Sequence, residues 1–167
     1  LNDGKIELIQ NVAATGVTMD KSADFILYLD ASSNTTKKIL ASNSSFIERA
    51  MAIKAIPDTI ELYTGDGIAR MVVPSTLDGL KLNSIGAHVF TAGSSGNNTI
   101  MLYNETKSVD ILTTGVIIEV SETDSSTSGT PPLISANNTV NTADVLRIDV
   151  DTKSTGAKGL EVRMTFK

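Results

Sequence analysis

The sequence predicts an all-β protein: an antiparallel, jelly-roll-like β-sandwich of about eight strands, preceded by a small N-terminal region of strands and one short helix. Two observations predict it. Beyond residue 57, apolar and polar residues alternate with period two in one short run after another, as half-buried strands do. Between these runs stand clusters of Gly, Asn, Asp, Ser and Pro, which turn a chain rather than extend it. The expected division is residues 1–57, an N-terminal region, and residues 58–167, the sandwich.

In the first part, "KIELI" and "DFILYLD" are strand-like, and "ASSNTTKKILASN" reads as a polar turn feeding another short strand. "SSFIERAMAIKAIP" follows. Ser45 with Glu48 forms a capping-box pattern, Phe46, Ala50 and Ile53 recur at helical spacing, and Pro57 stops the run. A short helix near 45–56 is therefore expected. Its apolar stripe is too short to be stable alone. It must pack on the sandwich or on copies of itself, which makes Phe46, Ala50 and Ile53 candidate contact residues.

In the second part, "DTIELY" sets Ile60 and Leu62 against Glu61 and Tyr63, and "TGDG" reads as a tight hairpin turn into the return strand "IARMVVP". Leu80 and Leu82 share one parity, and Ile85, Ala87 and Val89 the other, so a bulge or bend is expected at Asn83-Ser84. "TAGSSGNNT" reads as a flexible hairpin connection; "NTIMLYN", "SVDILT" and "VIIEVSE" are further strands. "DVLRIDVD" points Leu146, Ile148 and Val150 inward, and "KGLEVRMTFK" does the same with Leu160, Val162, Met164 and Phe166. The polar "TKSTGA" between them predicts an antiparallel hairpin. The long polar run from Ser121 to Asp151 reads as a connection crossing from one sheet to the other, stiffened by Pro131-Pro132 and anchored by Leu133 and Ile134.

Composition removes several classes of function. The net charge is −5 across 167 residues, so a phosphate backbone is repelled on average and nucleic acid is not an expected partner. With no cysteine there is no disulfide, thiolate nucleophile or Cys-based zinc site. No apolar run reaches the roughly 20 residues that span a bilayer, and no signal peptide is expected. The chain begins with Leu1 rather than Met, and the simplest reading is that an N-terminal portion precedes it or has been removed.

Candidate chemistry is thin. His88 is the single histidine, on the outward parity of its strand, and no G-x-S-x-G elbow accompanies it. A solvent-facing or hydrogen-bonded role is the better reading than general base. Asp144, Asp149 and Asp151 raise the question of calcium, but no tight D-x-D-x-D-G loop follows, and a solvated face is the expected role. No metal and no cofactor is expected. "TAGSSGNNT" lacks the order and the helix of a phosphate loop. Asn34, Asn43, Asn97, Asn104 and Asn137 each open an N-x-[ST] triplet, as chance allows in so polar a chain. There is no Trp for sugar stacking; of the three tyrosines, Tyr63 and Tyr103 lie on outward parities and are the candidate exposed contact residues.

One resemblance sharpens this. "TGDGIARMVVPSTLDGLKLNSIGAHVFTAG", "SVDILTTGVIIEVSETDSSTSGTPPLISANNTVNTADVLRIDVD" and "GLEVRMTFK" resemble the small β-sandwich domain of tailed-bacteriophage virion proteins: tail fibres, head fibres and decoration proteins. The likeness covers roughly residues 58–167. "DFILYLDASSNTTKKILASN" is similar to short modules along phage fibres. The resemblance implies a non-enzymatic structural protein of the virion surface and a homotrimer. The first region would be its attachment to capsid or tail proteins or its stalk, with the Phe46, Ala50, Ile53 helix between subunits. The sandwich would be an outward knob that touches a host-surface glycan or only decorates the shell. A carbohydrate-binding module is the alternative, and a hydrolase with an unmarked site is third.

Overall fold

The computed structural model describes residues 25–30, 35–40 and 48–167. The chain forms two compact units, Leu1–Phe46 and Ile47–Lys167. In the first unit, β1 (Phe25–Asp30) pairs antiparallel with β2 (Thr35–Leu40), from Phe25 against Leu40 to Asp30 against Thr35. These are the strands expected in "DFILYLD" and "TTKKIL"; "KIELI" lies outside the described residues.

The second unit is all-β, as expected, and antiparallel. One sheet has the order β3 (Arg49–Glu61), β12 (Lys158–Phe166), β5 (Leu82–His88). The facing sheet has the order β4 (Gly65–Val72), β11 (Val145–Thr152), β6 (Asn98–Asn104), β7 (Val109–Asp110), with β9 (Val116–Ile118) also on β6. A two-stranded piece joins β8 (Leu112–Thr114) to β10 (Leu133–Ile134). The core lies between the sheets. Leu160, Val162, Met164 and Phe166 of β12 face Leu146, Ile148 and Val150 of β11 and Ile100 and Leu102 of β6, all essentially inaccessible. The alternation read from the sequence places the inward residues of β11 and β12 correctly. The parity slip is there too: Thr165 pairs with Ser84 but Phe166 with Leu82, leaving Asn83 as the extra residue of a bulge.

The expected helix near 45–56 is a strand. Arg49–Glu61 is extended and pairs along β12, Ala50 against Thr165 and Ile53 against Val162. The run 50–56 is so rich in Ala, Met and Ile that it fits a period of 3.6 and a period of two alike, and β12 supplies the partner for its backbone. Pro57 does not end a helix. It sits on an edge strand, in the irregular stretch where the register jumps from Ile56–Leu160 to Glu61–Lys158, and there a missing N–H costs no ladder bond. The sandwich therefore takes in β3, and the division expected at 57/58 falls inside a single strand.

Two expected hairpins are arches between sheets. β3 and β4 belong to different sheets, and so do β11 and β12. Turn residues mark where a chain bends but not whether it returns beside itself or crosses a core. "TAGSSGNNT" is likewise an arch, from β5 to β6. It is laced to the β11–β12 arch: Ser94 N–H donates to Thr155 O and Thr155 N–H to Ser95 O, both at 2.9 Å, and Thr91 bridges Lys158.

The long polar connection also departs from expectation. It starts and ends in one sheet, since β9 and β11 both pair with β6. Between them it runs along the outer edge of β5 in the other sheet. Val89 N–H donates to Thr123 O, Ala87 N–H to Ser125 Oγ, and Leu82 N–H to Asn138 O. Ile134 packs on the core, whereas Leu133 is exposed. The expected solvated carboxylates are buried: Asp144 is 4% and Asp149 5% exposed, and only Asp151 faces solvent. Asp149 accepts from Gly67 N–H at 2.7 Å and pairs with Arg147.

Asp144 locks the end of the connection to the β6–β7 turn. Its Oδ2 accepts from Asn141 N–H and Asn104 Nδ2, each at 2.9 Å, and pairs with Lys107 Nζ at 3.0 Å. Burial alone would raise its pKa; these donors outweigh burial and hold the carboxyl below its ordinary range. A carboxyl depressed in the folded state stabilises fully above its unfolded value, and that stability is lost as pH falls through the folded value. Asp144→Asn should cost about 2–3 kcal/mol at pH 7 in urea unfolding. The gap from the unchanged protein should narrow as the pH is lowered below about 4; a pH-independent gap would show that the charge is not what stabilises.

Candidate functional site

The outer face of the three-stranded sheet carries the most developed surface feature. Strand alternation and register build it row by row. Ala50, Thr165 and Ser84 form one row, Ala52, Arg163 and Gly86 the next, and Lys54, Glu161 and His88 the third. Side chains at the first two rows are small except for Arg163, so the floor is low. A hollow of about 560 Å³ lies over those rows. A second, of about 260 Å³, lies over the third row and is closed by Asp58, Phe90, Gly159 and Leu160.

The polar connection makes one wall. Asp124 caps the short 3-10 turn Ser125–Thr127 by accepting from Ser126 N–H at 2.9 Å. The same carboxylate receives Arg163 and stands 3.5 Å from His88 Nδ1. Burial alone would raise the pKa of Asp124; the Ser126 N–H and the Arg163 guanidinium outweigh it and hold the carboxyl low. On the floor the Ser84 and Thr165 hydroxyls share a hydrogen bond of 2.7 Å, and on β3 Lys54 is paired with Asp58. Phe90 stands at the end of the groove, 64% exposed. Gly159 lets the β12 backbone pack closely against the base of Phe90. Its φ is +67°, and a Cβ there would come within 2.8 Å of Asp58 Cα and 3.0 Å of Phe90 Cβ.

The residues singled out in sequence are scattered. Ala50 is on the groove floor. Ile53, an odd number of positions away, points to the opposite face of the same strand, so the two cannot share one contact surface, and Phe46 lies outside the described residues. Tyr63 is exposed in the turn after β3. Tyr103 is on the other sheet, half-buried beneath the Arg147 guanidinium, 4.5 Å from its ring centroid. His88 keeps its outward parity and is engaged by Asp124. Lys54, Asp58 and Phe90 were missed. The helical reading hid Lys54, and Asp58 was read only as the start of a strand. Phe90 shares the outward parity of His88, opposite buried Val89, but a single apolar residue on an outward parity is no signal of a site. The outward character of Glu161 and Arg163 was legible; which strands flank them was not.

The groove offers paired donors and acceptors beside one exposed ring. It can hold a ligand by hydrogen bonding and stacking. Among the described residues no cluster of three or more His, Cys, Asp or Glu is placed to hold a metal ion.

Two outcomes follow. Asp124→Ala should cost about 1 kcal/mol and speed hydrogen exchange at Ala87 and Val89, because the wall loses its cap and its Arg163 partner. Gly159→Ala should cost more, about 2 kcal/mol or above, since it is strained in φ and crowded in space; thermal unfolding measures both. Compared with known proteins, the chain matches no family model, no curated protein and no solved structure.

Proposed function

We propose that the chain is a non-enzymatic structural protein of a tailed-bacteriophage virion surface, a homotrimeric fibre or decoration protein. In this reading the sandwich is a displayed knob, and the N-terminal region attaches it to capsid or tail proteins. The resemblance of roughly residues 58–167 to that family supports it, together with one observation. β5 lies against β9, on the flank that the long connection closes. The opposite flank carries β3 and β4, each the edge of its sheet among the described residues. Such edges invite pairing with another chain unless something blunts or covers them. Pro57 and Lys54 blunt part of β3. Yet Ile60, Tyr63 and Val72, on these strands and the turn between them, are 48%, 49% and 64% exposed. Subunits that meet through this flank would cover all three. The subunit contact is thereby moved from a helix face to a pair of strand edges.

Light scattering of the chain under stepwise dilution should return three times the chain mass. Ile60→Asp with Val72→Asp should reduce it to one while the strand signature in circular dichroism persists. A persistent monomer of the unchanged chain would overturn the trimer.

A further inference from the structure

We propose that the groove on the outer face of the β3–β12–β5 sheet binds a neutral oligosaccharide, with one sugar ring stacked on Phe90. The inference stands on this face alone and does not depend on the flank that joins subunits.

Phe90 is the first ground. A phenyl ring left 64% exposed at the lip of a hollow forgoes the stabilisation that burying its apolar surface would give the fold. Its flat face is the one apolar platform beside that hollow, and the apolar C–H face of a pyranose is its natural complement. Gly159 is the second ground. A left-handed φ there lets the β12 backbone pack directly against Asp58 and the base of Phe90, with no room for a side chain. The base of the ring is thereby fixed at the edge of the hollow.

The polar groups select the chemistry. Lys54 is matched by Asp58, and Arg163 by Asp124. Glu161 is the remaining carboxylate of the face, so its balance is slightly negative. The two cations that line the hollows, Lys54 and Arg163, are both committed, so an anionic ligand there would have to break an existing pair. A polyhydroxylated neutral ligand has the opposite fit. Each hydroxyl both donates and accepts, so it can bridge Lys54 and Asp58, or reach Glu161 and His88, without disturbing their charge. The larger hollow continues over Ala52, Gly86 and the Ser84–Thr165 hydroxyl pair. Small side chains and exposed hydroxyls give further rings a floor along the strands, so a linear chain of several residues fits better than a single sugar.

The absence of tryptophan makes the test direct. Phe90→Trp introduces the sole indole of the chain at the proposed platform. Its fluorescence, and the NMR spectrum of the unchanged chain, are followed on titration with cellohexaose, maltohexaose and mannohexaose. The expected result is saturable change by at least one of the three, with a Kd of about 0.1–10 mM. Shifts in the unchanged chain should cluster at His88, Phe90, Gly159 and Glu161. Phe90→Leu, which keeps the bulk and removes the π-face, should weaken binding about tenfold with the fold unchanged. Hexagalacturonate should bind less well than its neutral counterparts. Silence with all three neutral probes up to about 10 mM would overturn the proposal. So would shifts that survive Phe90→Leu, or a preference for the anionic probe. None of these outcomes bears on the mass in solution, so a failed trimer and a failed glycan site are read separately.

Discussion

The fold depends on β12. It is the middle strand of its sheet, hydrogen-bonded to β3 on one side and β5 on the other, and its inner row is fully buried in the core. Each of Leu160, Val162, Met164 and Phe166 contributes about 1.5–3 kcal/mol by leaving water. The alternate residues pay no such penalty for exposure and are free to vary in chemistry. The same alternation thus builds the interior and, one residue out of step, delivers Glu161, Arg163 and Thr165 to the groove. Core and site are two readings of one strand.

A sandwich leaves backbone groups unpaired at its edges, and this chain treats its two flanks differently. Along β5, an irregular segment supplies the missing partners from its own carbonyls and hydroxyls, so the polarity of that segment is structural. Its serines, threonines and asparagines cap turns, accept amides and close the wall of the groove. Along β3 and β4 nothing described does the same. The contrast gives the sandwich one flank with its edge closed and, among the described residues, one with its strand edges open.

Legibility in the sequence followed the physics of each signal. Period-two alternation reports which side chains are buried, and it placed the inner rows of β5, β11 and β12 and the bulge at Asn83. It does not report which strand lies beside which, so the β11–β12 and β3–β4 connections were read as hairpins. It also fails where nearly every residue is apolar. Ala50 to Ile56, with Lys54 its one polar residue, satisfied a helical period as well as a period of two, and only pairing with β12 decides the matter. Asp144 and Asp149 looked solvated because their partners, Lys107, Asn104, Arg147 and Gly67, are distant or ambiguous in sequence. The groove needed three strands and a loop from four separate parts of the chain, so it had no linear signature.

The laced arches at one end of the sandwich carry a mechanical consequence. The connection from β5 to β6 is long enough to be slack, and a slack tether would let one sheet slip past the other. Bonded through Ser94 and Ser95 to Thr155 of the shorter arch, it has little free length left. Ser154 tightens it further, donating its N–H to Asn98 at 2.8 Å and its hydroxyl to Ser95 O at 3.0 Å. A force drawing the sheets apart in shear therefore loads several short bonds together instead of one after another. This end of the molecule should be the stiff one, and the groove ending at Phe90 is anchored next to it through the Thr91–Lys158 bridge.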